Sequence, residues 1–527
     1  MTIKRLVFLL TILAVLTMAA RISVGSDTWW HLRAGEWILE HNRVPDTDPF
    51  SYSRIGAEWH YPGWVMQILL LGVYRAAGMA GLNLLTAAFV AGTFWVLWGV
   101  IGGHHFLKAF LIVLAAAASG VYWAARPYLI TFFFTGLYLL VLEGERKCGE
   151  TRDAERPRGN GAVPPGTLWA LPVLMVVWAN SHGGFAVGFI LYGIYFVGLT
   201  AQARVWKLLQ ISWRDQAGQD ENTWKGFWNR LEQHLKQGDH QALYPYARWR
   251  NFLLVGFLMT AAVILNPYGP EMLLYPFQTV GIDALGDYIA EWQSPNFHEL
   301  RIQPFLVLLM LSYGAVGVSR RSIDVIDFCL ILTFGSLSLA AVRNIALFAL
   351  AAPVVIARHG VSRFPWLRKD ADWLSSRAEE RPAWTGRLNV LLFLIMIGAS
   401  GYKISLVIPE SQNRAYVRET FPVEAAAKIA EQGYPGRLFN SYNWGGYLIW
   451  ALPDYPVFVD GRTDLYGDEV IDQWVQVVSG KPGWEDILDR WDVQLVLLEP
   501  NRPVIQLLSE EGWDLIYSDQ ISVLYAR

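Results

Sequence analysis

The chain has 527 residues, of which 53% are hydrophobic and 17% are charged, and 25 are tryptophan. This composition is typical of a protein that crosses a membrane many times rather than of a soluble one. The formal net charge is −3, and neither a basic arm nor a zinc-type Cys/His spacing occurs, so a nucleic-acid partner is not expected. The only cysteines, Cys148 and Cys329, predict no disulfide framework.

The N-terminal segment has Lys4 and Arg5 before an uncharged run at 6–20. This order predicts an uncleaved signal anchor with a cytoplasmic N-terminus, and a cleaved signal peptide is the alternative. Many further apolar runs favour the anchor. These runs span residues 61–74, 76–103, 109–125, 127–142, 167–180, 185–203, 251–266, 302–319, 323–342, 344–357 and 388–402.

About twelve candidate spans result, several of them shorter than the roughly 20 residues of a straight crossing. The Lys/Arg-rich segments 204–250 and 358–387 are predicted to be cytoplasmic, whereas 267–300, which has no Lys or Arg, is predicted to lie outside with the tail. A cytoplasmic N-terminus and an outer tail require an odd number of crossings. We therefore expect one miscounted span between residues 61 and 142.

The tail changes character after about residue 410, where short apolar runs alternate with amphipathic helical stretches. Such alternation predicts a small α/β domain. The predicted strands are Arg437–Ser441, Pro456–Val459, Val493–Leu498, Leu515–Tyr517 and Ser522–Tyr525, and the predicted helices are Val423–Glu431, Glu469–Val478, Trp484–Trp491 and Val504–Glu511. We thus predict a polytopic α-helical membrane domain, 1–407, with about 11–13 crossings, and an extracytoplasmic α/β domain, 408–527.

The predicted first outer loop, 25–60, is the most informative stretch of the chain. Together with the residues up to Trp64 it reads GSDTWWHLRAGEWILEHNRVPDTDPFSYSRIGAEWHYPGW and places six carboxylates among five tryptophans. Tryptophan prefers the membrane interface, and clustered carboxylates need water or a ligand. The loop therefore predicts a functional site at a membrane surface.

This loop resembles that of the GT-C superfamily of membrane glycosyltransferases, which includes protein O-mannosyltransferases and lipid A aminoarabinose transferases. The resemblance lies in an anchor helix, an early aspartate, a helical stretch, a turn and an aromatic-Pro pair before the second span. The residues that carry it are Asp27-Thr28-Trp29-Trp30-His31, Gly35-Glu36-Trp37, Pro45-Asp46-Thr47-Asp48-Pro49-Phe50-Ser51 and Trp59-His60-Tyr61-Pro62. Over most of its length the chain also resembles a group of bacterial membrane proteins of uncharacterised activity.

The resemblance implies an inverting glycosyltransferase in the bacterial inner (plasma) membrane. It would move a hexose or pentose from a polyprenyl-phosphate donor to a protein, lipid or glycan acceptor on the extracytoplasmic side. Asp27 would be the catalytic base, because an attacking hydroxyl or amine must lose its proton. Alternatively, Asp27 only caps a helix that begins at Thr28. The presence of Thr28, where the mannosyltransferases have a second acid, departs from the pattern.

Asp46-Thr47-Asp48 is a D-x-D motif, which in some transferases holds a divalent cation near phosphate. Between two prolines the same aspartates also suit an ordinary turn. No cofactor is firmly predicted, and Mg²⁺ or Mn²⁺ is the candidate cation. Both aspartates, with His31 of the same loop, are assigned to substrate binding.

Arg126 and Arg343 each lie between two apolar spans. An arginine there is costly unless it meets an anion, so both are candidates to hold the donor phosphate, and snorkelling to a headgroup is the alternative. His182, in a polar break with two glycines, is a candidate for phosphate or acceptor binding, or else satisfies a helix end. Glu291, in the acidic outer segment, could supply a second carboxylate or belong to an interfacial amphipathic segment.

The tail contains a polar and aromatic cluster in which Asn443, Trp444, Asp460 and Arg462 are candidate acceptor or glycan contacts, because aromatic faces suit sugar rings. A salt-bridged Asp-Gly-Arg turn needs no ligand, which is the other interpretation. P-loop, G-x-S-x-G and H-E-x-x-H motifs do not occur.

Two other functions stay open at this point. In a non-catalytic scaffold or subunit of a larger complex, Asp27 would pair with a neighbouring arginine and face no pocket. A transporter would show internal repeats, and none is evident.

Overall fold

The structure is a computed structural model that describes residues 1–150, 166–202, 240–280, 288–368 and 383–527. The polar, Gly/Pro-containing stretch 149–166, which its composition predicts to be a linker, lies largely outside the described residues. The greater part of the predicted cytoplasmic segment 204–250 also lies outside them. The helices up to residue 405 are α1 (Ile3–Ala19), α2 (Ser26–His41), α3 (Trp64–Val100), α4 (His105–Ser119), α5 (Tyr128–Glu150), α6 (Ala170–Ala179), α7 (Ala186–Gln202), α8 (His240–Ile264), α9 (Tyr275–Val280), α10 (Gln303–Gly317), α11 (Val325–Ala340), α12 (Ile345–Arg363) and α13 (Ala383–Ser405).

The remainder of the chain combines helices with one four-stranded sheet. Its helices are α14 (Glu410–Thr420), α15 (Val423–Gln432), α16 (Tyr442–Ala451), α17 (Thr463–Val478), α18 (Trp484–Arg490) and α19 (Val504–Glu510), and its strands are β1 (Arg437–Asn440), β2 (Val493–Leu498), β3 (Asp514–Ser518) and β4 (Val523–Ala526). Short 3₁₀ turns occupy Gly120–Tyr122, Thr167–Trp169, Gly183–Phe185, Gly269–Leu273, Leu300–Ile302, Val342–Asn344 and Pro365–Leu367.

Seven helical segments of the described chain are long and apolar enough to cross a membrane. Two shorter apolar helices, Thr167–Ala179 and Val325–Ala340, pack among them. Helices are expected here, because a chain inside a bilayer must satisfy its backbone hydrogen bonds within its own segments. The chain is therefore a multi-pass membrane protein, as its composition predicts.

The helices form a bundle with two ends, and alternate connections meet at the same end. At the end that carries the tail, the Arg21 guanidinium donates to Gly120 O (2.6 Å), which joins the connection after α1 to the one after α4. Asn266 donates to Ala179 O (2.8 Å) and so joins the connections after α8 and α6. We call this the site end.

The opposite end gathers the remaining connections. The backbone N–H of His104, after α3, donates to Leu367 O, after α12 (3.0 Å). The N-terminal ammonium of Met1 donates to Gly386 O near the start of α13 (3.3 Å). The N-terminus and the tail thus lie at opposite ends of the bundle, in agreement with an odd number of crossings.

Helix α3 explains the expected miscount. The runs 61–74 and 76–103 correspond largely to α3, in which Ala77 and Gly78 leave helical backbone angles and divide the element into two helices that meet at a kink. The part before Gly78 packs beside the tail, where Tyr74 and Trp450 make an edge-to-face contact at 5.5 Å. Only the part after Gly78 is needed to cross the bundle, so two predicted spans become one crossing.

The opposite end also contains a buried ion cluster that the sequence analysis did not predict. Arg146 binds Asp327 (2.9 Å), and Arg358 binds both Asp327 and Glu143. His359 Nε2 lies 3.2 Å from Asp327 Oδ2. Since isolated charges are costly at membrane depth, these pairs hold α5, α11 and α12 to one another.

The tail sheet has the strand order β1-β2-β4-β3. β1 and β2 are parallel, with Leu438 opposite Leu495, and the other two pairings are antiparallel. Helices cover the sheet, so the prediction of a C-terminal α/β fold is confirmed. Helices α14 and α16 were not predicted.

One predicted strand is wrong. Pro456–Val459 forms no regular strand, and only Val457 makes isolated parallel bridges, to Ser51 of the first loop and to Leu438 of β1. The two prolines at 453 and 456 lack backbone donors, which prevents a longer ladder on this edge. The first loop occupies the edge instead and thereby docks on the tail.

Replacing Gly78 with alanine should destabilise the protein. Its φ of +59° and ψ of −152° lie in a region that only glycine adopts readily, so we expect a cost of about 1–3 kcal/mol. Gly72→Ala, in the helical part of α3 where a Cβ meets nothing within 4 Å, is the matched control and should be neutral or slightly stabilising. Thermal unfolding of both purified variants in one detergent provides the measurement, and equal losses would contradict the prediction.

Candidate functional site

Four charged side chains from four separate segments meet at the site end. Arg126 is at the centre: its Nη1 lies 2.9 Å from Asp27 Oδ2 and its Nη2 lies 2.8 Å from Glu291 Oε2. Arg343 Nη1 approaches the other oxygen of Glu291 at 3.6 Å. The structure therefore brings together four residues that the sequence analysis selected independently. We call them the charged cluster.

Local structure places Asp27 in the first turn of α2. The helix begins at Ser26 with Gly25 as its N-cap, so the alternative in which Asp27 caps a helix starting at Thr28 is wrong. The Thr28 hydroxyl instead donates to Ala125 O (3.0 Å) and ties α2 to the segment that carries Arg126. A carboxylate in a first helical turn also meets the positive end of the helix dipole.

Backbone hydrogen bonds hold the other half of the charged cluster. The N–H groups of Val342 and Arg343 donate to Gln293 O and Glu291 O, both at 3.0 Å. The Arg343 guanidinium stacks over the Trp292 ring at 4.2 Å, and that of Arg126 over Tyr122 at 4.4 Å. The two guanidiniums are therefore fixed by rings as well as by carboxylates.

The charged cluster is partly open. The exposed fraction of the side chain is 22% for Asp27, 18% for Arg126, 28% for Glu291 and 21% for Arg343. The Asp27–Arg126 pair is the contact that the scaffold hypothesis predicts. The exposure of all four groups is what a site with access for a ligand requires.

The two carboxyls of the cluster have opposite pKa shifts. Burial raises the pKa of Asp27 above its ordinary value, although the charge of Arg126 opposes the rise. Burial would raise the pKa of Glu291 too, but the charges of Arg126 and Arg343 lower it to about 2. Carboxyls whose pKa values are pushed apart commonly divide acid-base work between them.

His182 lies beside the charged cluster as a neutral ring. Burial, together with the charges of Arg343 and Arg126, lowers its pKa to about 3. Its Nδ1 accepts the Gly184 N–H (2.9 Å) and lies 2.8 Å from the Thr131 hydroxyl, so Nε2 carries the proton. The His182 side chain can therefore donate one hydrogen bond but adds no charge.

His31, on α2 one turn after Asp27, is buried. Its ring contacts the Trp30 and Tyr61 rings, and Gln67 Nε2 lies 3.4 Å from its Nδ1. Burial, with the charge of Arg126, lowers its pKa well below the ordinary value. Direct substrate binding by His31 stays a prediction.

The two aspartates of the D-x-D motif do not act together. Asp46 is exposed, whereas Asp48 is buried and accepts the N–H groups of Phe50 and Ser51 (3.0 and 3.1 Å). These residues do not fit a shared cation site at the motif. Among the described residues, no group of three or more His, Cys, Asp or Glu side chains could hold a metal ion.

Asp48 also binds Arg462, which the structure buries in an ion cluster of the tail. Arg462 contacts Asp48 at 2.6 Å and Asp460 at 2.7 Å, and the Tyr466 hydroxyl donates to Asp460 at 2.6 Å. The guanidinium stacks over Trp59 at 4.7 Å. Because all three charged groups are buried, their evident role is to dock the first loop on the tail.

Docking brings the tail onto the charged cluster. A Cβ added at Gly461, between Asp460 and Arg462, would collide with Asp27 Oδ1, so any larger residue would require the Asp27 carboxyl to move. The same Asp27 oxygen accepts the Trp30 indole N–H at 3.4 Å. The tail thus forms one wall around the predicted base.

The remaining predicted tail residues lie at a cavity beside the N-terminus of α2. Asn443 is exposed and Trp444 is buried, and both line it. The sequence analysis missed Asp464 and Tyr275, which bring the tail and the connection after α8 together through a 3.3 Å hydrogen bond. The sequence could have indicated Asp464, because Asp460-Gly461-Arg462-Thr463-Asp464 places a second carboxylate four residues after Asp460.

No family model matches the sequence, and no curated protein matches it. Solved structures do match. The apo oligosaccharyltransferase of Archaeoglobus fulgidus is 13% identical, with 98% of this chain and 74% of that chain covered and a TM-score of 0.52. AglB of the same organism, in complex with an inhibitory peptide and a dolichol-phosphate, is 13% identical, with 93% and 69% covered and a TM-score of 0.50.

ArnT from Cupriavidus metallidurans bound to undecaprenyl phosphate is 15% identical, with 98% of this chain and 97% of that chain covered and a TM-score of 0.46. The two oligosaccharyltransferase structures show the fold. The chain therefore has the fold of the GT-C membrane glycosyltransferases, and the sequence-based expectation of this fold is confirmed.

Replacing Arg462 with methionine should destabilise the protein strongly, because Asp48 and Asp460 would stay buried without their partner. Breaking a buried ion pair in this way costs about 3–5 kcal/mol. Arg490→Met, at an exposed position of α18, is the control. Thermal unfolding of purified protein tests this, and a variant as stable as the wild type would refute the docking role.

Proposed function

We propose that this protein is a glycosyltransferase that moves a sugar from a polyprenyl-phosphate donor to an acceptor at the site end of the bundle. The charged cluster of Asp27, Arg126, Glu291 and Arg343 carries the proposal, because it places a candidate base beside two guanidiniums at a partly open bundle end. The dolichol-phosphate bound to AglB, which shares the fold, supports a lipid-linked donor. We place the site end outside the cytoplasm and the protein in the inner (plasma) membrane.

The proposed step is an in-line displacement. The acceptor oxygen or nitrogen forms a bond to the anomeric carbon while the bond between that carbon and the phosphate oxygen breaks. The acceptor proton passes to the Asp27 carboxylate, and polyprenyl phosphate leaves with the electron pair. Attack opposite the leaving group inverts the anomeric configuration.

The raised pKa of Asp27 suits this role. A general base works best when its pKa approaches the working pH, and burial moves Asp27 in that direction. Glu291, with its pKa lowered to about 2, stays ionised and holds the two arginines. The pair resembles other sites in which one carboxyl transfers a proton and the other remains a fixed charge.

Arg126 and Arg343 are proposed to hold the donor phosphate. A phosphate oxygen would compete with Asp27 and Glu291 for guanidinium donors, and each guanidinium has five N–H groups. Their positive charge would stabilise the phosphate as the anomeric bond breaks. His182 would add a neutral hydrogen bond.

A divalent cation, Mg²⁺ or Mn²⁺, stays a prediction without an assigned site, because Asp46 and Asp48 do not converge. If the donor phosphate brings a cation with it, that cation would add positive charge at the leaving group.

A non-catalytic scaffold or subunit of a larger complex is the second candidate. The Asp27–Arg126 ion pair favours it, since a structural pair needs no substrate. Turnover measurements distinguish the two functions.

Asp27→Asn should lower glycosyl transfer by about 10²–10⁴-fold, the usual contribution of a general base. Release of polyprenyl phosphate from polyprenyl-phosphate hexoses and pentoses by purified protein in liposomes, with envelope extract as acceptor, gives the rate. Donor binding should persist, because the substitution leaves both arginines in place.

Asp472→Asn, at an exposed site on α17, is the matched control and should transfer at the wild-type rate. Undiminished turnover by Asp27→Asn would remove the base assignment. Wild-type protein that binds donor without turning it over would favour the scaffold.

As the pH is lowered, the rate of transfer should start to fall at a pH above the pKa of an ordinary aspartate. Asp27 acts only when deprotonated, so the rate falls as the pH drops through its raised pKa and is constant above it. Glu291→Gln should move this fall in rate to lower pH, because the negative charge of Glu291 contributes to the raised pKa of Asp27. Rate profiles of both proteins from pH 4 to 8, roughly the range in which a raised aspartate titrates, test the sign. A fall in rate that moves to higher pH would contradict it.

A further inference from the structure

A cavity of 680 Å³ opens where the tail meets the first loop, within the size range of about 300–1,000 Å³ common for small-molecule sites. Its wall combines five separate segments of the chain. The lining residues are Gly25, Ser26, Tyr416, Thr420, Phe421, Asn443, Trp444, Glu499, Pro500, Asn501, Gln520 and Ile521.

The cavity lies at an edge of the sheet where ligands commonly bind. β1 ends at Asn440 and β2 at Leu498, and these strands are parallel, so the residues that follow them emerge at the same edge. Asn443 and Glu499 belong to those following segments and line the cavity. Open α/β sheets bind ligands outside the carboxyl ends of their parallel strands.

The polar part of the cavity wall carries no positive charge. Asn443, Asn501 and Gln520 are exposed, and in the described part of the chain none of their side-chain amides has a hydrogen-bond partner. Each amide therefore offers donors and an acceptor to a ligand. The one charged residue of the wall, Glu499, is already bound by Ser441 (2.7 Å) and Arg502 (2.9 Å).

The aromatic part of the wall is rigid. Trp444 is buried, and its indole N–H donates to Thr420 O at 3.2 Å. Phe421 is stacked on Tyr447 at 5.1 Å. Because both rings are buried, they form a fixed apolar floor, and the free amides above it offer hydrogen bonds to the hydroxyl groups of a sugar.

We propose that this cavity binds the acceptor and that the acceptor is a neutral glycan. The inference rests on the proposed function, and it assigns the acceptor class that the function leaves open. Gly25 and Ser26 form part of the wall and precede Asp27 at the start of α2, so a glycan bound in the cavity lies within one helical turn of the base. The attacking group is then a sugar hydroxyl, which transfers its proton to Asp27 as it bonds to the anomeric carbon.

The wall argues against the other acceptor classes. An anionic lipid headgroup or a phosphorylated acceptor would need a guanidinium or ammonium group, and the lining contains no Lys, Arg or His. A peptide bound by strand addition would need an open strand edge, whereas this cavity is lined by residues that follow the strands.

Binding of neutral trisaccharides tests the proposal without turnover. Full-length Asp27→Asn protein, purified in detergent, is titrated with maltotriose, mannotriose and N,N′,N″-triacetylchitotriose while saturation-transfer NMR and calorimetry are recorded. We expect saturable binding of at least one sugar. The double variant Asn443→Ala/Asn501→Ala on the same background should bind it roughly tenfold or more weakly, as expected for the loss of two hydrogen bonds.

Both replaced amides are exposed, so the double variant should fold, and an unchanged melting temperature checks this. Glu485→Gln, exposed at the start of α18 and absent from the cavity wall, is the matched control and should bind like its parent. No saturable binding of any of the three sugars, or equal binding by the double variant, overturns the cavity assignment.

Failure of the proposed function has a different signature. If the trisaccharides bind in the cavity but no donor is turned over, the transferase proposal fails and the glycan site stands. If wild-type protein transfers sugar to a serine- or threonine-containing peptide at a rate that the double variant retains, the transferase proposal stands and the glycan acceptor is refuted.

Discussion

The position of Arg126 determines the arrangement of the site end. Its guanidinium is shared between Asp27 and Glu291, and Arg343 binds the second oxygen of Glu291. Charges at the end of an apolar bundle are tolerated when they are paired. This chain of ion pairs therefore holds together α2, the segment before α5, the connection after α8 and the turn before α12. The same pairing pushes the two carboxyl pKa values apart, which gives Asp27 and Glu291 different chemical capacities.

The tail depends on a second cluster, in which Arg462 lies between Asp48 of the first loop and Asp460 of its own turn. Because that cluster is buried, it fixes how closely Gly461 approaches Asp27. The cavity beside α2 is a consequence of this docking, since its wall takes residues from the start of α2, from α14 and from the segments that follow β1, β2 and β3.

Much of the architecture could be predicted, because uncharged runs and strand-helix alternation are local signals. The miscounted crossing between 61 and 142 required coordinates, since an apolar run does not reveal that the chain kinks at Gly78 and that the part before it packs beside the tail. Pro456–Val459 resembled a strand, yet one of its partners is the first loop, which is distant in the sequence. The ion cluster of Glu143, Arg146, Asp327 and Arg358 was missed because its members lie in or beside three different apolar runs, up to 215 residues apart.

By itself the sequence determined that the chain is a membrane protein with an α/β tail, and it selected Arg126 and Arg343 as arginines too costly to lie unpaired near a bilayer. Asp27 was selected through a resemblance to the GT-C superfamily, and Glu291 as a possible second carboxylate from the acidic outer segment. Only the tertiary structure decided which of these charges meet and which others are buried. Asp46 and Asp48 are two residues apart and do not converge, whereas Asp48 and Arg462 are 414 residues apart and bind at 2.6 Å. The charge of a residue can be read from the sequence, but its ion-pair partner depends on the distance between side chains in the folded chain. Neighbouring residues in the sequence do not reveal that distance.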